Sequence, residues 1–318
     1  MAETRDERWT KPSTILVASD LSDADRLMPF ALEQARETGA RLILLHVLGA
    51  SESIAVDAVG LPYYDPATAL EYATKTLQHW CAEAVALGIG CEAHVCEGAP
   101  AQQILTAVRQ HHVDRILLGT RSRSKLSKLF LGSVAEQVLR SVNIPVMTVG
   151  PEAHLPVSGK DGDAVVLHAT TLHEASRPSA VLACRIARNR GARLVLLHVQ
   201  PPEEIAQRKH TELPNETSVC GELKQIAADA MADDACGCSS IEPMVVHGNP
   251  AIEILATAAN LHADLIVLGG TNRSALENLA RDRTIYRVLA HARCPVLTLR
   301  EPASVHTHEA AEKLALHL

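Results

Sequence analysis

Two short stretches carry the residue types best suited to chemistry. The first reads Ala18-Ser19-Asp20-Leu21-Ser22 and follows an apolar run directly. A carboxylate at the tip of a buried strand can accept hydrogen bonds from a ligand's amino or hydroxyl groups. An Asp in that place also commonly caps the helix that follows, and the residues alone allow both roles. The second stretch runs from Gly119 to Gly132-Ser133-Val134. Four cationic side chains, Arg121, Arg123, Lys125 and Lys128, stand between the two glycines with no acid among them. Unpaired amides and the dipole at a helix start favour an anion. Cations beside them suit a polyphosphate. A solvated basic loop closed by a serine N-cap has the same sequence.

Other reactive residue types form weaker patterns. His46 and His198 each sit in a Leu-Leu-His-Val run. A histidine matched in two copies reads as packing. Cys236-Gly-Cys238, with Cys220 and His247 nearby, lacks the spaced ligand pairs of a metal site, so no metal ligands are expected there. His306 and His308 in the tail are weaker still. Neither a Gly-x-Ser-x-Gly elbow nor a His-Glu-x-x-His helix occurs. No catalytic residue is assigned, and a dedicated enzyme is not expected.

The elements that must position these residues alternate along the chain. Short runs rich in Ile, Val and Leu span Thr14–Ser19, Arg41–Val47, Cys91–Val95, Arg115–Leu118 and Pro145–Val149. Near-continuous apolar runs suit strands covered on both faces. Between them, Ala24–Thr38, Ala67–Leu87, Ala101–His111 and Ser133–Ser141 space apolar residues as helices do. Gly39 and Gly88 stand where helices need a C-terminal stop. Strand and helix in alternation imply right-handed βαβ units and a parallel sheet. In such a sheet ligands bind beyond the carboxyl ends of the strands, where strand order reverses. With the first strand central, the loops after Ser19 and Leu118 face that crevice.

The whole pattern occurs twice. Gly39-Ala-Arg-Leu-Ile-Leu-Leu-His-Val47 returns as Gly191-Ala-Arg-Leu-Val-Leu-Leu-His-Val199. Three further matches follow in order: Gly98-Ala-Pro-Ala101 with Gly248-Asn-Pro-Ala251, Val113–Gly119 with Ala263–Gly269, and Ile144–Val149 with Cys294–Leu299. The offset stays at 150 to 152 residues. The expected organisation is α/β, with two tandem doubly wound parallel-sheet domains of five strands each. They take residues 1–152 and 163–302, followed by a tail at 303–318. A Gly- and Pro-containing linker, Gly150–Asp163, joins them. Their last strands lie at sheet edges, which seek pairing, so the copies are expected to pack through those edges. A pair of chains associating further is a second expectation.

Composition narrows the partners. Of 318 residues, 47% are hydrophobic and 21% charged, as in an ordered globular chain. A net charge of −7 and only 3% aromatics leave little for nucleic-acid binding. The polar start, MAETRDERWT, does not read as a secretory signal. No apolar stretch reaches bilayer length. The eight scattered cysteines suggest reduced thiols in the cytoplasm.

The chain resembles a tandem universal stress protein. The resemblance covers nearly all of it, and the expected fold is Rossmann-like, of the adenine nucleotide alpha hydrolase type. Nucleotide-binding members carry an Asp after the first strand. They also carry a loop of Gly, two residues, Gly, nine residues, then Gly and Ser or Thr. Here that loop is Gly119, two residues, Ser122, nine residues, Gly132-Ser133. The resemblance implies ATP as ligand with Mg²⁺ on its phosphates. It places Asp20 and Val47 on the adenine and ribose side, with Ala18 and Ser19 also among the nucleotide-binding residues. Gly119, Gly132, Ser133 and Val134 would surround the phosphates, and Arg121, Ser122 and Lys125 of the same loop are counted among the nucleotide-binding residues. It further implies a stress-response switch acting on an unidentified protein partner. Ser122 departs from the pattern where a glycine would let phosphate approach closely. The second copy departs further. Thr170, within Ala169-Thr-Thr171, falls near the place of Asp20, and Asn272 and Asp282-Arg283 replace the later loop residues. Lys and Arg there number three against two acids from Gly270 to Arg283. The second copy is expected not to bind nucleotide.

Overall fold

The computed structural model describes residues 5–49, 54–56, 62–120, 131–155, 164–172, 177–202, 216–232, 240–271 and 284–301. In the first copy the strands are β1 (Thr14–Ala18), β2 (Arg41–Leu48), β5 (Cys91–Glu97), β6 (Arg115–Gly119) and β7 (Val146–Val149). A small antiparallel pair, β3 (Ile54–Val56) with β4 (Pro62–Tyr64), precedes the third helix. The helices are α1 (Arg5–Thr10), α2 (Ala24–Thr38), α3 (Pro66–Ala86), α4 (Pro100–Gln110) and α5 (Ser133–Ser141). The second copy supplies β8 (Val165–Thr170), β9 (Arg193–Gln200), β10 (Ser240–His247), β11 (Leu265–Thr271) and β12 (Val296–Glu301). Its helices are α6 (Arg177–Asn189), α7 (Glu216–Ala232), α8 (Pro250–Asn260) and α9, through residues 284–291.

Local chemistry sets the element ends. Helix α2 stops because Gly39 adopts φ 75° and its N–H bonds the Ala35 carbonyl, a conformation that favours glycine. Helix α3 starts where Asp65 Oδ1 accepts the Thr68 amide at 3.1 Å, with Pro66 in the first turn. Gly98 and Gly248 recur at φ 126° and 146°, each opening a helix that begins with proline.

In the first copy the strand order is β7-β6-β1-β2-β5, all parallel. Strand β1 lies between β2 and β6, so the order reverses beside it, as expected. The second copy repeats this as β10-β9-β8-β11-β12. One expectation needs correction: the two five-stranded sheets are one sheet of ten strands. Strands β7 and β12 pair antiparallel, with Leu297 opposite Met147 and Thr298 opposite Val146. Each edge satisfies the other's free backbone groups, so the expected packing of the copies through these edges becomes hydrogen bonding along them.

Two apolar layers cover the sheet, and each runs through both copies. One joins Leu27, Phe30 and Leu77 to Leu182, Leu194 and Leu297. The other joins Ile104 and Val138 to Ile254 and Val288 across Leu16, Ile43 and Ile266. Polar contacts add to the joint: Arg190 pairs with Glu37 at 2.7 Å, and Arg140 Nε donates to Tyr286 Oη at 2.8 Å. Arg115, fully buried, donates to the Trp9 carbonyl at 2.7 Å and to Gln34. Burial pushes its pKa down to about 10, so it stays charged at neutral pH.

A second correction concerns cysteine. Cys81 and Cys91 form a disulfide, Cα to Cα 5.3 Å, rather than standing as free thiols. The turn at Leu87–Gly90 folds the end of α3 back onto the start of β5, which brings two cysteines ten residues apart into register. Among the described residues, Cys96, Cys184, Cys220 and Cys294 form no disulfide. Among the described residues, no helix is long and apolar enough to cross a membrane.

Candidate functional site

The crevice at the carboxyl ends of β1 and β6 gathers the distinctive loops of the first copy. Ala18 lies in register with Leu45 on one side and Leu118 on the other. The Ser19 amide still bonds the Leu45 carbonyl at 3.1 Å, extending the ladder by one residue. The chain then turns sharply at Leu21, φ 65°, and the Ser19 hydroxyl accepts the Leu21 amide at 3.0 Å. His46 Nδ1 donates to the Ser19 carbonyl at 2.9 Å. The repeated histidine therefore pins this loop, a more specific task than core packing.

Asp20 does not cap α2. Its Oδ1 accepts the Ser22 amide at 3.0 Å and the Ser22 hydroxyl at 2.5 Å, which holds the carboxylate in a local turn. The N-cap position belongs to Asp23, whose side chain makes no cap bond. Asp23 turns inward instead and accepts the Ser19 hydroxyl at 2.6 Å. Arg26 Nη2 lies 3.6 Å from Asp23 Oδ2. Burial pushes the Asp23 pKa up, and the Ser19 hydrogen bond opposes that shift. The nearby Asp20 charge raises it further, and Arg26 lowers it. Sequence reasoning missed both Asp23 and Arg26. The available signal was a second acid three residues after Asp20, too close to be a second cap for one helix.

Gly119, at the end of β6, faces this pair. A Cβ there would collide with Asp23 Oδ2 and would stand 3.3 Å from Arg26 Nη2. The glycine is thus required by the chain's own carboxylate, quite apart from any ligand. Thr120 continues the ladder to the Val149 carbonyl at 3.3 Å, and its own carbonyl accepts the Gly132 amide at 2.9 Å. That bond ties the two ends of the basic loop together. Residues 121–130, which include Arg121, Ser122, Arg123, Lys125 and Lys128, lie outside the described residues.

Gly132 is the N-cap of α5, φ −60° and ψ 141°, with no side-chain cap bond. The serine cap of the alternative, solvated-loop reading is therefore not seen: Ser133 is the first helical residue and is exposed. Val134 is half-buried against the second apolar layer. Val47, near the end of β2, is buried opposite Cys96. The structure thus brings Ala18, Ser19, Asp20, Val47, Gly119, Gly132, Ser133 and Val134 to one end of the first five strands.

The second copy keeps the turn and changes its chemistry. Ala169 pairs with Leu197 as Ala18 pairs with Leu45, so Thr170 replaces Ser19 and Thr171 replaces Asp20. Thr170 Oγ1 accepts the Leu172 amide at 3.2 Å, Leu172 has φ 63°, and His198 Nδ1 donates to the Thr170 carbonyl at 3.0 Å. Asn272, Asp282 and Arg283 lie outside the described residues, as do Cys236, Cys238, His306 and His308. A cavity of about 620 Å³ lies elsewhere, against the second copy. His154, His262, Asp264, His291 and Cys294 line it. Burial raises the Cys294 pKa to about 12, which keeps that thiol protonated and unreactive.

Residues 12–150 and 165–300 each match the universal stress protein family. A universal stress protein of Thermus aquaticus is 38% identical over 141 residues, which is 43% of this chain and 97% of the relative. Another from Bacillus subtilis is 28% identical over 144 residues, 42% of this chain and 97% of that one. Among solved structures, a universal stress protein from Archaeoglobus fulgidus has a TM-score of 0.69 at 19% identity. It covers 92% of this chain and 98% of its own, and so shows the same fold over both copies. Two doubly wound units sharing one sheet define the class. The chain belongs to the universal stress protein family and carries the family's domain twice.

Proposed function

We propose that the first copy binds ATP and that the protein acts in the cytoplasm as a nucleotide-dependent switch in the stress response. The observation that carries the reading is the start of α5. Gly132 leaves its first amides without a side-chain cap, beside Gly119 and at the end of a loop with four cations. Such an end suits phosphate. Asp20 and Val47 would meet the adenosine. Arg121, Ser122, Lys125, Gly132, Ser133 and Val134 would hold the phosphates, and Mg²⁺ would neutralise part of their charge. Arg26, beside Gly119, adds a further cation. Asp20 would be committed to adenosine, which leaves no positioned general base among the described residues of the crevice, so hydrolysis would be slow. In a reducing cytoplasm Cys81 and Cys91 would also exist as thiols part of the time.

Titration of the full chain with labelled ATP tests the proposal. Binding is expected for the unaltered protein. Asp20→Ala and Gly132→Asp should each abolish it, and Asp282→Ala should leave it intact. Absence of binding at millimolar nucleotide would overturn the reading. One observation favours a second: Asp23 and Arg26 already cover Gly119, as in a nucleotide-free module that presents its surface to a protein partner. In that case neither variant alters a measurable nucleotide affinity.

A further inference from the structure

The strongest unassigned cluster lies at the other end of the first copy's strands. Glu92, His94 and His111 each offer a ligand atom, and these atoms all lie within 4.8 Å of one another. Glu92 and His94 stand two residues apart on β5, hence on one face. His111 is the C-cap of α4, packed over that face. The two imidazole centroids are 4.8 Å apart. His94 Nε2 lies 3.5 Å from Glu92 Oε2 and makes no hydrogen bond. Two atoms bound to one tetrahedral zinc at about 2.0–2.1 Å stand roughly 3.3 Å apart. The pair needs only a small adjustment.

Arg41 holds this arrangement from behind. Its Nη1 donates to Glu92 Oε1 at 2.8 Å and its Nη2 to the His111 carbonyl at 3.4 Å. One guanidinium thus orients the carboxylate and the backbone of the second histidine, and leaves Oε2 facing His94. Partners of this kind fix metal ligands in place.

The second copy supplies an internal control. Its pairing of β9 with β10 aligns Glu242 with Glu92 and Met244 with His94. The C-cap of α8 is Leu261 where α4 has His111. The supporting pair survives there, Arg193 Nη1 to Glu242 Oε2 at 2.7 Å. The fold therefore keeps the Arg–Glu pair in both copies and accepts Met and Leu in place of both histidines. Packing does not require imidazoles at these positions, and they replace apolar residues together.

We propose that Glu92, His94 and His111 form a binding site for a zinc-type divalent ion, with water completing the coordination. The donor set of two imidazoles and one carboxylate is that of a zinc centre with an open position. It is absent from the second copy and independent of the nucleotide crevice.

The test uses the untagged full chain, with Co²⁺ as a spectroscopic probe and Zn²⁺ in competition with a chromophoric chelator. One Co²⁺ should bind with weak d–d absorption, without sulfur-to-cobalt charge transfer, and Zn²⁺ should displace it. The double variant His94→Met, His111→Leu, which copies the second repeat, should lose affinity by roughly 100-fold or more. A variant with Cys236→Ser, Cys238→Ser, His306→Ala and His308→Ala should bind as the unaltered chain does. The proposal fails if the double variant binds equally well, if charge transfer shows thiolate ligands, or if no ion binds at about 100 µM.

Discussion

Asp23 and Gly119 depend on each other at the residue level. The carboxylate is buried, tied to Ser19 and pressed against a position with no side chain. Gly119→Ala should therefore destabilise the chain by about 1–3 kcal/mol through overpacking. Adding Asp23→Ala should recover much of that loss, a coupling that urea unfolding of the two single variants and the double variant would measure. His168 carries a different kind of strain. It is fully buried, with Nδ1 bonded to the Val267 carbonyl at 3.1 Å and Nε2 unpartnered. Burial lowers its pKa from 6.5 to about 4. Between those values the unfolded chain binds more protons than the native one, so stability falls as pH drops from about 6.5 toward 4. The full difference is about 3 kcal/mol. Val17 occupies the matching place in the first copy, and His168→Val should flatten urea midpoints measured between pH 7.5 and 4.5. Neither effect was legible in the sequence. Asp20 stood out because it ends an apolar run, whereas the inward turn of Asp23 depends on Gly119, nearly a hundred residues away. His168 sat inside an apolar strand with nothing to mark its missing partner.

Periodicity located the elements well, because buried parallel strands and two-faced helices leave strong patterns. Helices α2 and α5 have the bounds expected from apolar spacing and their flanking glycines. Strands β2 and β5 run one and two residues further than expected, since ladder bonds continue after the apolar pattern fades. The β3–β4 pair had no such pattern and was not foreseen. The disulfide was hidden for a related reason. Ten residues of spacing say nothing until the end of α3 is known to fold back beside β5. That bond closes a short loop, so Cys91→Ser, or reduction of the unaltered protein, should cost roughly 2–3 kcal/mol. Denaturant midpoints with and without reductant would show it, and Cys91→Ser should then be insensitive to reductant.

Across the whole molecule, the repeat disclosed two like units and which edges would meet. It did not disclose that the edges would merge into a single ladder, because strand pairing between copies depends on register and direction rather than composition. The antiparallel joint between β7 and β12 reverses the second half relative to the first. The two switch-point crevices therefore open on opposite rims of the sheet. The 620 Å³ cavity by contrast lies near the amino ends of β11 and β12, on the same rim as Gly119. His154, on its wall, donates its backbone N–H to the Arg293 carbonyl at 3.0 Å. Two identical chains meeting this way would show a partner the same docking point twice. Fusion of unlike halves instead gives each polypeptide one crevice of each kind, on opposite rims of its sheet.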